Sequence, residues 1–131
     1  AADSMSCWGD LCSYETKKLY LIGADLIGVS GHAGAEALFL RWWREGRDRT
    51  APPNFGKQEF GALVVDPSGI IDWFDELLCA ETIHEPYFSI GSGQPFALAA
   101  MDHGATALEA VHIAIKRDKN SGGEPRWLTL S

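Results

Sequence analysis

The sequence has no apolar run approaching the ~20 residues that a bilayer span requires. Its most hydrophobic stretch, residues 60–71, is broken by Asp66, Pro67 and Gly69, so no membrane-embedded segment is expected. Cations are scarce: 11 Lys and Arg face 18 Asp and Glu, a net charge of -7. Such a surface repels a phosphate backbone, which excludes nucleic acid as a natural partner. The three cysteines form an odd set, and nothing at the start resembles a cleavable secretory leader, so a reducing, cytoplasmic setting is expected. Metal spacing is also missing. Cys7 and Cys12 are five apart with no matching pair, the four histidines are scattered, and neither a metal nor a cofactor is expected. No phosphate loop occurs, and Gly91-Ser92-Gly93 lacks the flanking spacing of a hydrolase nucleophile elbow.

What is present suits one folded domain over residues 1–131. The chain is 46% hydrophobic, and at this length folding removes roughly two-thirds of the unfolded surface from water. Residues 17–22 and 26–30 read as two strands joined by Gly23-Ala24-Asp25, a β-hairpin. From 33 to 45, Ala35, Leu38, Phe39 and Trp42 recur at helical spacing with Glu36, Arg41 and Arg44 between them. The proline-containing stretch 46–56 then reads as a loop. Strands 61–65 and 70–74 flank Asp66-Pro67-Ser68-Gly69, whose residue types favour a type I turn. A strand over 86–90 is expected next, then a helix over 94–101 with Pro95 in its first turn. Thr106 and Glu109 form a capping box for a helix reaching about residue 117. A last strand covers 126–130. This order, with two consecutive helices near the end, predicts a layered α+β sandwich with antiparallel neighbours.

Single residues carry little chemistry here. His112 shares a stripe with Glu109 and Lys116 and reads as solvated; His32 and His103 fall at helix ends, and His84 lies in an acidic loop. The five tryptophans and six phenylalanines are read mainly as core.

A set of blocks in order is more informative: Ala1-Ala2-Asp3-Ser4, Thr16-Lys17-Lys18-Leu19, Leu26-Ile27-Gly28-Val29-Ser30-Gly31, Ile90-Gly91-Ser92-Gly93, and Lys116-Arg117-Asp118-Lys119-Asn120-Ser121-Gly122-Gly123. Together they resemble the blocks of proteasome β-type subunits and HslV-like peptidases. That resemblance implies an N-terminal nucleophile (Ntn) hydrolase fold: a four-layer αββα sandwich of two antiparallel sheets.

It also implies a chemistry. In the family an N-terminal Thr is the nucleophile and its own α-amino group the base, so no histidine is needed. A lysine ammonium beside that hydroxyl favours the neutral form of the neighbouring amine and stabilises developing negative charge. Lys18 resembles that lysine; strand alternation turns only one of Lys17 and Lys18 inward, and the spacing to Gly28 favours Lys18. By the same resemblance Asp3 pairs with Lys18, while Ser92, Asp118 and Ser121 surround the terminal amine. Gly31 resembles the oxyanion glycine, and Val29 borders the substrate side-chain pocket.

Two departures from the family pattern stand out. Its catalytic Thr lies on a strand ahead of the Ala-Ala-Asp-Ser block, whereas these residues begin at Ala1, so the chain as it stands is expected to be N-terminally truncated and inactive. Residues 47–60 offer only a proline-interrupted loop where the family carries another long helix, so one helical layer is expected to be reduced. The implied function is a subunit of a self-compartmentalising threonine endopeptidase. Its implied partners are identical subunits in a ring, an ATP-driven unfoldase and unfolded polypeptide. A non-catalytic ring subunit, or another Ntn amidohydrolase, is the alternative.

Overall fold

The computed structural model describes residues 1–130, with Trp8 described by its backbone alone. In chain order its elements are β1 (Ser6–Trp8), β2 (Leu11–Ser13), β3 (Leu19–Ile22), β4 (Asp25–Gly31), α1 (Ala33–Arg44), β5 (Phe60–Val65), β6 (Ile71–Asp75), β7 (Ala80–Ile83), α2 (Gln94–Asp102) and α3 (Ala107–Arg117). They form an α+β fold with one two-stranded sheet, β1-β2, and one five-stranded sheet in the order β3-β4-β5-β6-β7. The chain divides into two compact units, residues 1–20 with 85–129 and residues 21–84 with residue 130. No helix among the described residues is long and apolar enough to cross a membrane.

In the unit of residues 21–84, period-two patterning sets the sheet's buried face. Ile27 and Val29 on β4 alternate inward, as do Phe60, Ala62 and Val64 on β5, and the register places Val29 opposite Ala62. The apolar stripe of α1 supplies Ala35, Phe39, Leu40 and Trp43 to the same core. Phe39 is its centre: fully buried, with ring centroids 5.0 Å from Phe60, 5.5 Å from Phe74 and 5.6 Å from Trp43. The Trp43 indole still reaches a partner, donating to Asp25 Oδ2 at 3.2 Å. The expected turn at 66–69 is formed. Gly69 N–H donates to the Asp66 carbonyl at 2.9 Å, and Asp66 Oδ1 accepts from Ser68 N–H at 2.8 Å and from the Ser68 hydroxyl at 2.6 Å. Residues 45–59 contain no helix, in keeping with the reduced helical layer.

In the other unit, α2 and α3 meet through small side chains. Ala97, Met101 and Ala110 form the buried cluster, with Tyr87, Leu98 and Ala100 packed against it. Thr106 caps α3, its hydroxyl accepting from Glu109 N–H at 3.2 Å and donating to Glu109 Oε1 at 3.1 Å. β1 and β2 form a hairpin in which Cys7 faces Cys12, and the two are joined by a disulfide.

Three expectations need correction. Residues 86–90 are not a strand. Pro86 has no N–H to give a ladder, and Gln94 Nε2 occupies the Ser89 carbonyl at 2.8 Å. The strand lies earlier, at β7, whose burial shows no alternation; it is tied to β6 in register Ile71↔Ile83, with the Thr82 hydroxyl on Asp72 Oδ1 at 2.7 Å. The strand expected at 126–130 shrinks to a single antiparallel bridge between Ala2 and Arg126. The odd cysteine count, read above as favouring a reducing setting, does not keep the thiols apart: cross-strand register joins Cys7 and Cys12 in a disulfide and leaves Cys79 free.

Replacing Phe39 by Ala is expected to cost about 3–5 kcal/mol, since the cavity sits among aromatic rings that cannot collapse into it. Denaturant unfolding of the purified variant measures this as a lowered midpoint at unchanged slope.

Candidate functional site

The site residues of the first unit gather around the turn that follows α3. Ser4, fully buried, is the anchor. Its N–H donates to the Gly122 carbonyl at 2.9 Å, its carbonyl accepts from Thr16 N–H at 2.9 Å, and its hydroxyl donates to the Glu124 carbonyl. This fixes the two chain segments carrying Asp3 and Lys18 against residues 122–124. Lys18 Nζ then donates to Asp3 Oδ1 at 2.5 Å, with the two side chains only 19% and 14% exposed. The second carboxylate oxygen, Oδ2, accepts from Gly122 N–H at 3.0 Å. Lys17, by contrast, is exposed and lies 4.6 Å from the centre of the Tyr20 ring. Alternation along the chain thus turns one lysine of the pair to Asp3 and the other to solvent.

One residue before Gly122, the same turn builds a second cluster. Asp118, the C-cap of α3, is buried, and its Oδ2 accepts from the Ser92 hydroxyl at 2.6 Å and the Ser121 hydroxyl at 2.7 Å. Asn120 N–H donates to Oδ1 at 3.2 Å. Burial pushes the Asp118 carboxyl up, but the hydroxyls of Ser92 and Ser121, the Asn120 N–H and the Lys119 charge outweigh it and hold the group below its ordinary value. With both hydroxyl protons committed to Asp118, the serine oxygens present lone pairs, and the cluster as a whole suits a donor such as an ammonium.

Glycines make these approaches possible. A Cβ at Gly93 would lie 3.0 Å from Ala114 Cβ and 3.1 Å from Ser121 Oγ. At Gly122 it would meet Met5 Sδ at 3.1 Å and Tyr14 Cε1 at 3.2 Å; at Gly123, where φ is +76°, it would meet the Tyr14 carbonyl at 2.7 Å.

Asp3, Lys18, Ser92, Asp118 and Ser121 therefore fall in one unit, in two clusters joined by the 118–122 turn. Val29 and Gly31 belong to the other unit. Val29 is buried opposite Ala62, and Gly31 ends β4 at φ +118°, where a Cβ would collide with the Glu59 carbonyl and lie 2.9 Å from Phe60 Cα. Two contributors had no sequence signal of their own: the Gly122 N–H on Asp3, because every non-proline residue carries one, and the buried Ser4 hydroxyl, whose partner lies 120 residues away.

Comparison with solved structures gives the chain a proteasome-like fold of the HslV type. Among solved structures, the chain resembles BPH from Thiobacillus denitrificans, with a TM-score of 0.70 and 16% identity over 95% of this chain and 86% of that one. The same protein in complex with epoxomicin matches with a TM-score of 0.67 and 18% identity over the same shares. Eukaryotic HslV from Trypanosoma brucei matches with a TM-score of 0.69 and 20% identity, over 92% of this chain and 86% of that one. By sequence, neither a family model nor a curated protein matches.

Removing both hydroxyls, Ser92→Ala with Ser121→Ala, leaves Asp118 buried without its two strongest donors, so its pKa is expected to rise. A lowered carboxyl pKa contributes stability that is fully present above the ordinary value of 3.8 and lost as pH falls through the folded-state value. The double variant should therefore lose stability at a higher pH than the parent. Carboxyl-carbon NMR titration of Asp118 measures the shift, and acid unfolding measures its consequence.

Proposed function

We propose that this chain is the body of a threonine-type endopeptidase subunit of a self-compartmentalising protease, which cleaves peptide bonds in unfolded polypeptides. The observation that supports it is the Lys18–Asp3 pair, tied through Gly122 to the Ser92–Asp118–Ser121 cluster. These side chains supply a shielded cation beside a set of acceptors, which an amine-bearing hydroxyl nucleophile needs.

The chemistry follows from those charges. The reading requires an N-terminal Thr ahead of residue 1. Its α-amine is held by the acceptor oxygens of Ser92, Ser121 and Asp118, and takes the proton from its own hydroxyl as that oxygen attacks the substrate carbonyl. The Lys18 ammonium, anchored by Asp3, disfavours a second positive charge nearby, which keeps the amine neutral and competent as base. It also stabilises the alkoxide that forms. When the tetrahedral intermediate collapses, the amine returns its proton to the departing peptide amine, and a water molecule activated the same way releases the acyl group. Gly31 and Val29 keep in this proposal the roles the resemblance gives them, oxyanion donor and pocket wall.

The working form is a ring of identical subunits in the cytoplasm, fed by an ATP-driven unfoldase. Large apolar side chains left open on this chain, among them Leu11, Leu77 and Trp127, support assembly with further copies.

The reading frame upstream of residue 1 is the first test: Thr immediately ahead of a short strand supports the peptidase, whereas an extended helical segment supports a non-catalytic subunit and Cys or Ser a different amidohydrolase. In the full-length protein, a threonine-directed covalent inhibitor should label the N-terminus by mass spectrometry. Epoxomicin, found bound to the Thiobacillus denitrificans BPH, is the compound to try first. Lys18→Met should lower kcat for a fluorogenic peptide by about 10²–10³-fold while the fold is retained. A folded assembly that is neither labelled nor active would reject the proposal.

A further inference from the structure

We propose that the Cys7–Cys12 disulfide is a redox latch on the Asp3–Lys18 site, and that its reduction loosens the contacts that hold Asp3 in place. The latch is argued from the hairpin's position, whatever reaction the site performs.

The hairpin is an excursion between the two halves of the ion pair. Asp3 and Ser4 lead into it, Thr16 and Lys18 lead out, and its neck is closed by Thr16 N–H on the Ser4 carbonyl at 2.9 Å. Just inside that neck, Met5 and Tyr14 lie close on Gly122 and Gly123. Gly122 in turn donates its N–H to Asp3 Oδ2. A displacement at the base of the hairpin is thus passed to the carboxylate through a single backbone group.

Beyond that neck, the disulfide reinforces a short ladder. Each strand has three residues, the sheet has no third strand, and a lone two-stranded ribbon is marginal in water. The register places Cys7 directly opposite Cys12, so the bond fastens facing positions one pair short of the Trp8↔Leu11 end. Both cysteines are solvent-exposed, and an external thiolate can reach the sulfurs. In the cytoplasmic setting proposed above, a disulfide of this kind is a regulatory rather than a permanent bond.

The switching step is thiol–disulfide exchange with a dithiol reductant. One reductant thiolate attacks a sulfur of the Cys7–Cys12 bond, which breaks and leaves a mixed disulfide and a thiolate. The reductant's second thiol attacks that mixed disulfide and departs with its own sulfurs joined, two electrons having passed to the protein. Cys7 and Cys12 take up two protons as thiols.

Full-length protein is compared before and after dithiothreitol, with alkylation and mass spectrometry establishing the state of each cysteine. Amide hydrogen exchange at Thr16 and Gly122 is expected to quicken by about tenfold or more on reduction, as local opening becomes easier. The double variant Cys7→Ser with Cys12→Ser should exchange at the fast rate with or without reductant, and Cys79→Ser should respond like the parent. Unchanged exchange at both amides in protein whose Cys7 and Cys12 are verified thiols would overturn the latch. So would failure of an oxidised dithiol to join the two cysteines in the folded protein. These readouts need no peptidase activity, so failure of the peptidase reading leaves the latch standing, and an active enzyme indifferent to reductant, with unchanged exchange, rejects the latch alone.

Discussion

The carboxylate of Asp3 is the point on which the candidate site depends. One of its oxygens accepts the Lys18 ammonium and the other the Gly122 N–H, so a single planar group sets the distance between a cation and a backbone turn. Placing a partly buried charge is costly unless it is paired and hydrogen-bonded, and here the compensation comes from segments far apart in the chain. Ser4 makes that possible, because its backbone and hydroxyl together fasten the Asp3 segment to residues 122–124. The turn then continues to Ser121 and Asp118, and the acceptor cluster is positioned by the same backbone that positions the cation.

Much of this was legible wherever a local pattern and a long-range role coincided. The helix of α1 announced itself through Ala35, Phe39 and Trp42, the 66–69 turn through Asp66, Pro67 and Gly69, and α3 through its Thr106–Glu109 cap, each decided within a few residues. The five-block resemblance singled out Asp3, Lys18, Ser92, Asp118 and Ser121, which lie in one unit, and Val29 and Gly31, which lie in the other. The misses share a cause. β7 is an exposed edge whose pairing is set by β6, not by alternation of its own; 86–90 has strand-like residues but a proline and no ladder; and 126–130 keeps only one bridge. Cys7 and Cys12 look unrelated in a count of three, and become partners once a hairpin turns them to face each other.

The two units illustrate different routes to order. Residues 21–84 are organised by an aromatic-rich core in which Phe39 neighbours four other rings, a burial-driven solution that many sequences can reach. The unit holding the site relies on small residues in its helix pair and on specific hydrogen bonds at its turn. That contrast agrees with similarity to solved structures at 16–20% identity: volume and patterning tolerate wholesale replacement, whereas geometry built on backbone groups does not record itself in side-chain identity.

The consecutive glycines at 122 and 123 carry this to its limit. At Gly123 the Tyr14 carbonyl already occupies the room a side chain would need, and at Gly122 the sulfur of Met5 and the ring of Tyr14 leave a tight fit, so both positions are specified by subtraction: what matters there is the methyl group that is left out. At the base of the hairpin the neighbours close around an empty space, and so an atom that does not exist shapes the packing there as surely as those that do.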